Sequence, residues 1–185
     1  MRDVYLTMGL LGAVVMAFPL QEAIPASEIF CGARLLIVPS LVVYAGLALP
    51  AVGMLVVGVL GGFLCDLAFL HFELGRVEIG LGWSIVYFVV VGFLASGFQP
   101  FFFRGHWWVS IPLSCVAASL YLFLQFLMIT FRREDIIFGE VTFWRIVGSG
   151  IFASAVAPVV HGTAWFMENR LRRRPRARES GLARR

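Results

Sequence analysis

The residues best suited to chemistry sit where charge is least expected. Asp66 lies in GVLGGFLCDLAFLHFELG, residues 58–75, with only apolar residues for a helical turn on either side. An acid in that setting could relay a proton or an ion. His71 and Glu73 follow it and could ligate a metal, while His161 lies in a late apolar run where titration near neutral pH could act as a switch. Plainer roles compete with each of these. Asp66 has no second acid in a neighbouring run, which favours a structural ion pair or hydrogen bond that fixes the helices or a loop. His71 and Glu73 lack a third ligand nearby, because His106 and His161 fall elsewhere in the chain, and no metal centre is predicted. His161 more simply donates one hydrogen bond across a helix pair, and Pro158, three positions before it, could free a carbonyl to receive that bond.

Nothing else has catalytic form. The chain carries no serine with a paired base, no nucleotide loop, no two-carboxylate site and no HExxH motif, so neither an enzyme nor a cofactor is predicted. Cys31, Cys65 and Cys115 are odd in number and widely spaced, which indicates neither a disulfide framework nor a metal-binding pair.

The elements that must position Asp66 and His161 follow from composition. Of 185 residues, 60% are hydrophobic and 14% charged, with a mean hydropathy of +0.89. That leaves too little polar surface for a soluble domain and predicts an all-α, multi-spanning membrane protein. A bilayer core needs about 20 apolar residues per helix. Six runs qualify: Val4 to Leu20, Ile29 to Leu49, Ala51 to Leu70, Ile79 to Phe98, Trp107 to Thr130 and Trp144 to Met167. The first reads as a retained span, not a cleaved signal, because Asp3 cancels Arg2 and the run is long enough to cross. Pro50 predicts a tight break between the second and third runs.

Charge sets the orientation. All fifteen basic residues are arginine, and eight of them lie in the last sixteen positions. With six spans, the side holding both termini collects Arg2, Arg104 and the eight tail arginines, against Arg34, Arg76, Arg132 and Arg133 on the other. The positive-inside rule then places both termini in the cytoplasm. Residues 1–169 form the transmembrane domain on this reading, and 170–185 form a disordered Arg-rich tail whose Arg170, Arg172, Arg173 and Arg174 face anionic lipid. A membrane address accounts for the basic balance, so no nucleic acid is invoked. The segment FRREDIIFGEVTFW between the last two runs lies outside, with room for a short interfacial helix. Residues 98–108, FQPFFFRGHWW, read as an aromatic belt at the inner interface.

Gly58, Gly62 and Asp66 share one helix face at four-residue spacing, the small-residue geometry that lets membrane helices approach closely. A carboxylate turned to lipid near the helix centre would cost roughly 2.5 to 3.5 kcal/mol, so Asp66 must face protein. Arg34, Arg76 and Arg145 are predicted at the same depth and are its candidate partners. Ser149, Ala153, Ala157 and His161 make a second stripe of this kind on the last run.

These residues resemble a family. The segment from about Leu35 to Gly97 is similar to MreD, the small membrane protein of the bacterial rod-shape machinery, in which an apolar hairpin leads to a glycine-rich helix ending in Gly-x-x-x-Asp-Leu. Here that pattern is GGFLCDL, with Gly62 and Asp66 in the matching places. A further glycine-led helix is matched by Gly82 to Gly97, including Gly92, and SAVAPVV around Pro158 resembles the family's last helix. The charged loop between Asp66 and Gly82 is longer than the family's. The resemblance implies a non-catalytic component of the elongation complex in the bacterial cytoplasmic membrane. It would bind MreC and, through it, MreB, a RodA-type glycosyltransferase and a class B penicillin-binding protein, modulating side-wall peptidoglycan synthesis. The MreD fold is also similar to substrate-binding subunits of energy-coupling-factor vitamin transporters, whose docking motif Ala13 and Ala17 match in spacing. That spacing is common in membrane helices, and the helix halves offer few convergent polar groups for a vitamin.

Overall fold

The computed structural model describes residues 2–28, 31–68, 72–73, 76–77, 82–133 and 139–173. Seven α-helices account for most of these: α1 (Arg2–Ala23), α2 (Val38–Ala48), α3 (Ala51–Ala68), α4 (Trp83–Ser96), α5 (Gln99–Phe103), α6 (Ser110–Arg133) and α7 (Glu140–Arg173). Between α3 and α4, Phe72–Glu73 pairs antiparallel with Arg76–Val77. Three helical stretches, Asp3–Gln21, Trp107–Phe131 and Glu140–Ala164, are long and apolar enough to cross a membrane. Val38–Ala48, Ala51–Leu67 and Trp83–Ser96 are apolar but shorter. Large apolar side chains lie exposed along the long helices, among them Met8, Met16, Leu20, Val116, Phe131 and Val159. Among the described residues the fold is helical apart from that short pairing, and its three long apolar helices are those of a membrane protein.

The sharpest departure from the sequence reading is α2. Among the described residues of the run from Ile29 to Leu49, the helix begins only at Val38. Before it, Ser27 bridges Ala33, Cys31 and Gly32 take positive φ of 50° and 87°, and residues 34–37 are neither helix nor strand. Pro39 supplies the reason, since proline is welcome in a first helical turn and hostile within one. Pro50 ends the helix as predicted, and α3 starts at Ala51.

The 11-residue α2 spans about 16 Å at 1.5 Å per residue. It is nevertheless the centre of the bundle, touching α1, α3, α4, α5, α6 and α7. Every residue from Val38 to Leu47 is buried. Val38, Val42, Val43 and Leu47 enter one apolar cluster with Phe88 of α4 and Tyr121 of α6. Ile37, Leu41, Tyr44 and Ala45 enter another with Leu10 and Val14 of α1 and Val160 of α7.

A helix so enclosed cannot send its terminal amides and carbonyls to water, and each left unpaired would cost several kcal/mol in an apolar medium. Two glutamines from other elements close its ends. Gln21 of α1 accepts the Ile37 N–H at 3.3 Å, and the Gln99 Nε2 donates to the carbonyls of Gly46 and Leu49, each at 2.8 Å. Neither glutamine stood out in the sequence.

Other boundaries moved less. The last helix begins at Glu140, four residues before the predicted run, and continues through Pro158 to Arg173. Residues 170–173 therefore belong to the end of a helix, not to the disordered tail expected there. Arg174 and the residues after it lie outside the described set, as do 134–138, where an interfacial helix was expected.

Replacing Gln99 by Leu should lower stability by about 1–3 kcal/mol, because it leaves two buried carbonyls without a donor. Reversible unfolding in mixed detergent checks this; an unchanged midpoint would show that the carbonyls are satisfied otherwise.

Candidate functional site

Asp66 sits in the last turn of α3 and is only 5% exposed. Its Oδ2 accepts the Gly82 N–H at 2.6 Å and its Oδ1 accepts the Ser84 N–H at 3.1 Å. These amides open α4, whose N-cap residue is Gly82 in the left-handed conformation, φ 104°. Glycine takes that conformation without strain but has no side chain with which to cap. Asp66 supplies the missing cap from the neighbouring helix. The negative carboxylate also meets the positive end of the α4 dipole.

Two of the three arginines predicted as its partners, Arg34 and Arg145, do not pair with it. Among the described residues no ion pair joins Asp66 to Arg34 or Arg145; the backbone N–H of Arg34 donates to Ser149 Oγ at 3.2 Å, and the Arg145 guanidinium lies over Gly32. The side chain of Arg76 is outside the described set, as are those of His71 and Glu73. The physical reason is geometric. A carboxylate one turn from a helix end can reach the next helix's first amides, and such amides need an acceptor wherever water is excluded.

The cap extends into a polar line. Ser84 Oγ lies 2.8 Å from the Tyr121 hydroxyl on α6, and the Tyr87 hydroxyl donates to the Ala117 carbonyl at 2.5 Å. The rings of Tyr87, Phe88 and Tyr121 pack with centroids 5.1–5.4 Å apart. Through Asp66, Ser84 and Tyr121, the end of α3 is tied to α4 and α4 to α6. The sequence reading missed Ser84, Tyr87 and Tyr121; the GLGWS stretch, with serine two residues after a glycine at the helix start, was the available signal.

The two glycines of the α3 face differ. A Cβ on Gly62 would overlap the backbone of Ile85, so α3 and α4 can meet here only across a glycine. At Gly58 a Cβ would meet the Phe88 carbonyl oxygen at 3.5 Å, an ordinary contact. Gly92, in α4, lies against the Met54 side chain and beneath α2, where a Cβ on Gly46 would come 2.7 Å from the Gly92 carbonyl oxygen.

On α7, Ser149, Ala153 and Ala157 are buried, and Ser40 of α2 donates to the Ala153 carbonyl at 3.0 Å. His161 ends this stripe among aromatics. Its ring stacks on Trp107 at 5.7 Å and meets Phe102 and Tyr44 edge-on at 5.5 and 6.1 Å, while its buried Nδ1 has no hydrogen-bond partner among the described residues. No group of three or more metal-ligating side chains occurs among the described residues. The arrangement around Asp66 is suited to holding helices in register.

No protein-family model, curated protein or solved structure matches the chain.

Two substitutions separate these roles. Gly62→Ala should destabilise by about 1–3 kcal/mol through overpacking, whereas Gly58→Ala should stay within about 0.5 kcal/mol, as measured by detergent unfolding. Asp66→Ala should cost about 2 kcal/mol by leaving two buried amides without an acceptor, and Asp66→Asn roughly half that because one carbonyl oxygen remains. Equal and full retention of stability in both Asp66 variants would contradict the cap.

Proposed function

We propose that this chain is a non-catalytic, six-span component of the bacterial rod-shape and elongation complex, of the MreD type. One observation carries the reading. The residues that make the resemblance, Gly62 and Asp66 of GGFLCDL, act in helix assembly: the glycine admits the neighbouring backbone and the acid caps its first amides. Such a motif suits a protein that works by presenting helices and loops to partners.

In this proposal the six apolar runs all cross the cytoplasmic membrane, the shorter helices α2, α3 and α4 being enclosed or flanked by the longer ones. Both termini face the cytoplasm, following the arginine distribution. Arg170, Arg172, Arg173 and Arg174 attract anionic headgroups at about 1 kcal/mol each. The partner is MreC, and through it the chain acts on MreB, the RodA-type glycosyltransferase and the class B penicillin-binding protein. Its output is the rate or placement of side-wall peptidoglycan synthesis.

Purification of the tagged chain from its own cells should recover an MreC-type coiled-coil protein in stoichiometric amount, and depletion of the chain should round rod-shaped cells. Gly62→Ala should weaken the recovery more than Gly58→Ala. Recovery of an ATPase pair with a coupling subunit, together with tight saturable binding of a vitamin, would overturn this reading in favour of a transporter subunit.

A further inference from the structure

Two of the three long apolar helices, α1 and α7, both pack against the short helix α2. Between them lies a groove of about 510 Å³, walled by α1 from Ala13 to Leu20 and by α7 from Phe152 to Thr163. Ile37 and Leu41 also line it and are buried, whereas Met16, Leu20 and Val159 are more than half exposed. It therefore has a protein floor and rims that face the surroundings of the long helices. Its lining is apolar apart from Thr163, and the Thr163 hydroxyl already donates to the Val160 carbonyl at 2.9 Å. Such a surface recruits hydrocarbon and not a water-soluble ligand.

The dimensions select the occupant. From Phe152 to Thr163 the α7 wall is about 16 Å long at 1.5 Å per residue, against about 15 Å for one leaflet of a 30 Å hydrocarbon core. Spread over that length, 510 Å³ leaves a mean cross-section of about 30 Å², a column about 6 Å wide. A transmembrane helix with its side chains is about 10–12 Å wide and crosses both leaflets. A single acyl chain, whose carbons stand about 3.5–4.0 Å from their neighbours, fits both measures. Left empty, the groove would forfeit those contacts along its whole wall.

Charge at one end agrees with this. From Phe152 the same face of α7 continues one turn to Ser149 and two turns to Arg145, about 10 Å farther along the helix. Arg145 is exposed, and among the described residues no acid lines the cavity to which it and Ser149 contribute. A phospholipid headgroup lies just beyond the hydrocarbon, so an arginine at this place suits an anionic one.

We propose that the groove between α1 and α7 holds one acyl chain of an anionic phospholipid, with its headgroup turned toward Arg145. Ala13 and Ala155, on opposite walls, keep the space open because a methyl group fills little of it. The lipid completes a wall that the 11-residue α2 is too short to build. This site stands apart from the elongation-complex reading, since the purified chain alone tests it.

The full chain in neutral detergent is titrated with dioleoyl phosphatidylglycerol or with phosphatidylcholine carrying the same chains, and bound lipid is counted by native mass spectrometry. One phosphatidylglycerol per chain should bind saturably, and phosphatidylcholine should bind more weakly. Ala13→Phe and Ala155→Phe should each weaken phosphatidylglycerol by about tenfold or more, because a ring in the groove takes the place of the chain. Val15→Phe, on the exposed side of α1, should bind as the unaltered protein does. Arg145→Gln should lower phosphatidylglycerol to the level of phosphatidylcholine, whereas changing Arg170, Arg172, Arg173 and Arg174 to Gln should leave the preference in place. Helix content by circular dichroism establishes that each variant is folded. Absence of saturable binding, equal binding of the two lipids, or undiminished binding by folded Ala13→Phe and Ala155→Phe variants would overturn the proposal. So would a two-chain species that those two variants abolish, which would make a second copy the occupant.

Discussion

A backbone amide or carbonyl without a partner costs several kcal/mol wherever water is excluded. In this protein that constraint falls hardest on the starts and ends of short helices. α4 begins at a glycine that cannot cap it, and α2 is buried along nearly its whole length. Both problems are solved from outside the helix concerned. Asp66 of α3 takes the first amides of α4, Gln21 of α1 takes the amide at the start of α2, and Gln99 at the start of α5 takes the carbonyls at its end. Each bond is both a desolvation remedy and a tether. Because capping groups come from neighbours, satisfying the backbone also fixes which helices are neighbours.

Packing then follows the positions that the caps set. Gly62 brings α3 onto the first turn of α4, within a turn of the place where Asp66 binds it. Gly46 brings α2 against Gly92 on α4's other contact, and Gly150 brings α7 against Cys115 and Ser119 of α6. Close approach strengthens dispersion contacts and Cα–H···O contacts that membrane helices rely on when the surrounding lipid is as apolar as their own side chains. The polar groups are therefore few, buried and individually consequential. The tyrosines extend the same logic, as Ser84 and Tyr121 join the cap to α6 and Tyr87 bonds the α6 backbone.

How much of this could be read from residues alone depended on range. Each of the six apolar runs contains a helix, since hydropathy and Pro50 act locally. The start of α2 was placed too early because the residues on both sides of Arg34 are mostly apolar, while the features that exclude a helix there, the turn at Cys31–Gly32 and the Pro39 boundary, are backbone effects. The small-residue face of α3 was legible, but the distinction between Gly62 and Gly58 was not, because it depends on where Ile85 and Phe88 arrive from another helix. Asp66 was correctly expected to face protein, whereas counting charges at equal depth pointed to Arg34, Arg76 and Arg145 and gave no hint of the amides that it accepts. Backbone donors carry no letter in a sequence, so a cap made in trans is invisible there. The aromatic surroundings of His161 were hidden for the same reason, being assembled from α2, α5 and residues just before α6.

Asp66, Ser84, Tyr121, Gln21 and Gln99 each hold one element to another, and the proposed scaffold role lies on surfaces that these contacts keep in place. Its central claim is that the Asp66 carboxylate holds the first amides of α4. Hydrogen–deuterium exchange of the detergent-solubilised chain tests it at those atoms. In the Asp66→Ala variant, peptides covering residues 82–86 should exchange faster than in the unaltered protein, while those within α7 keep their protection. Unchanged protection at Gly82 and Ser84 in a folded Asp66→Ala variant would contradict the account.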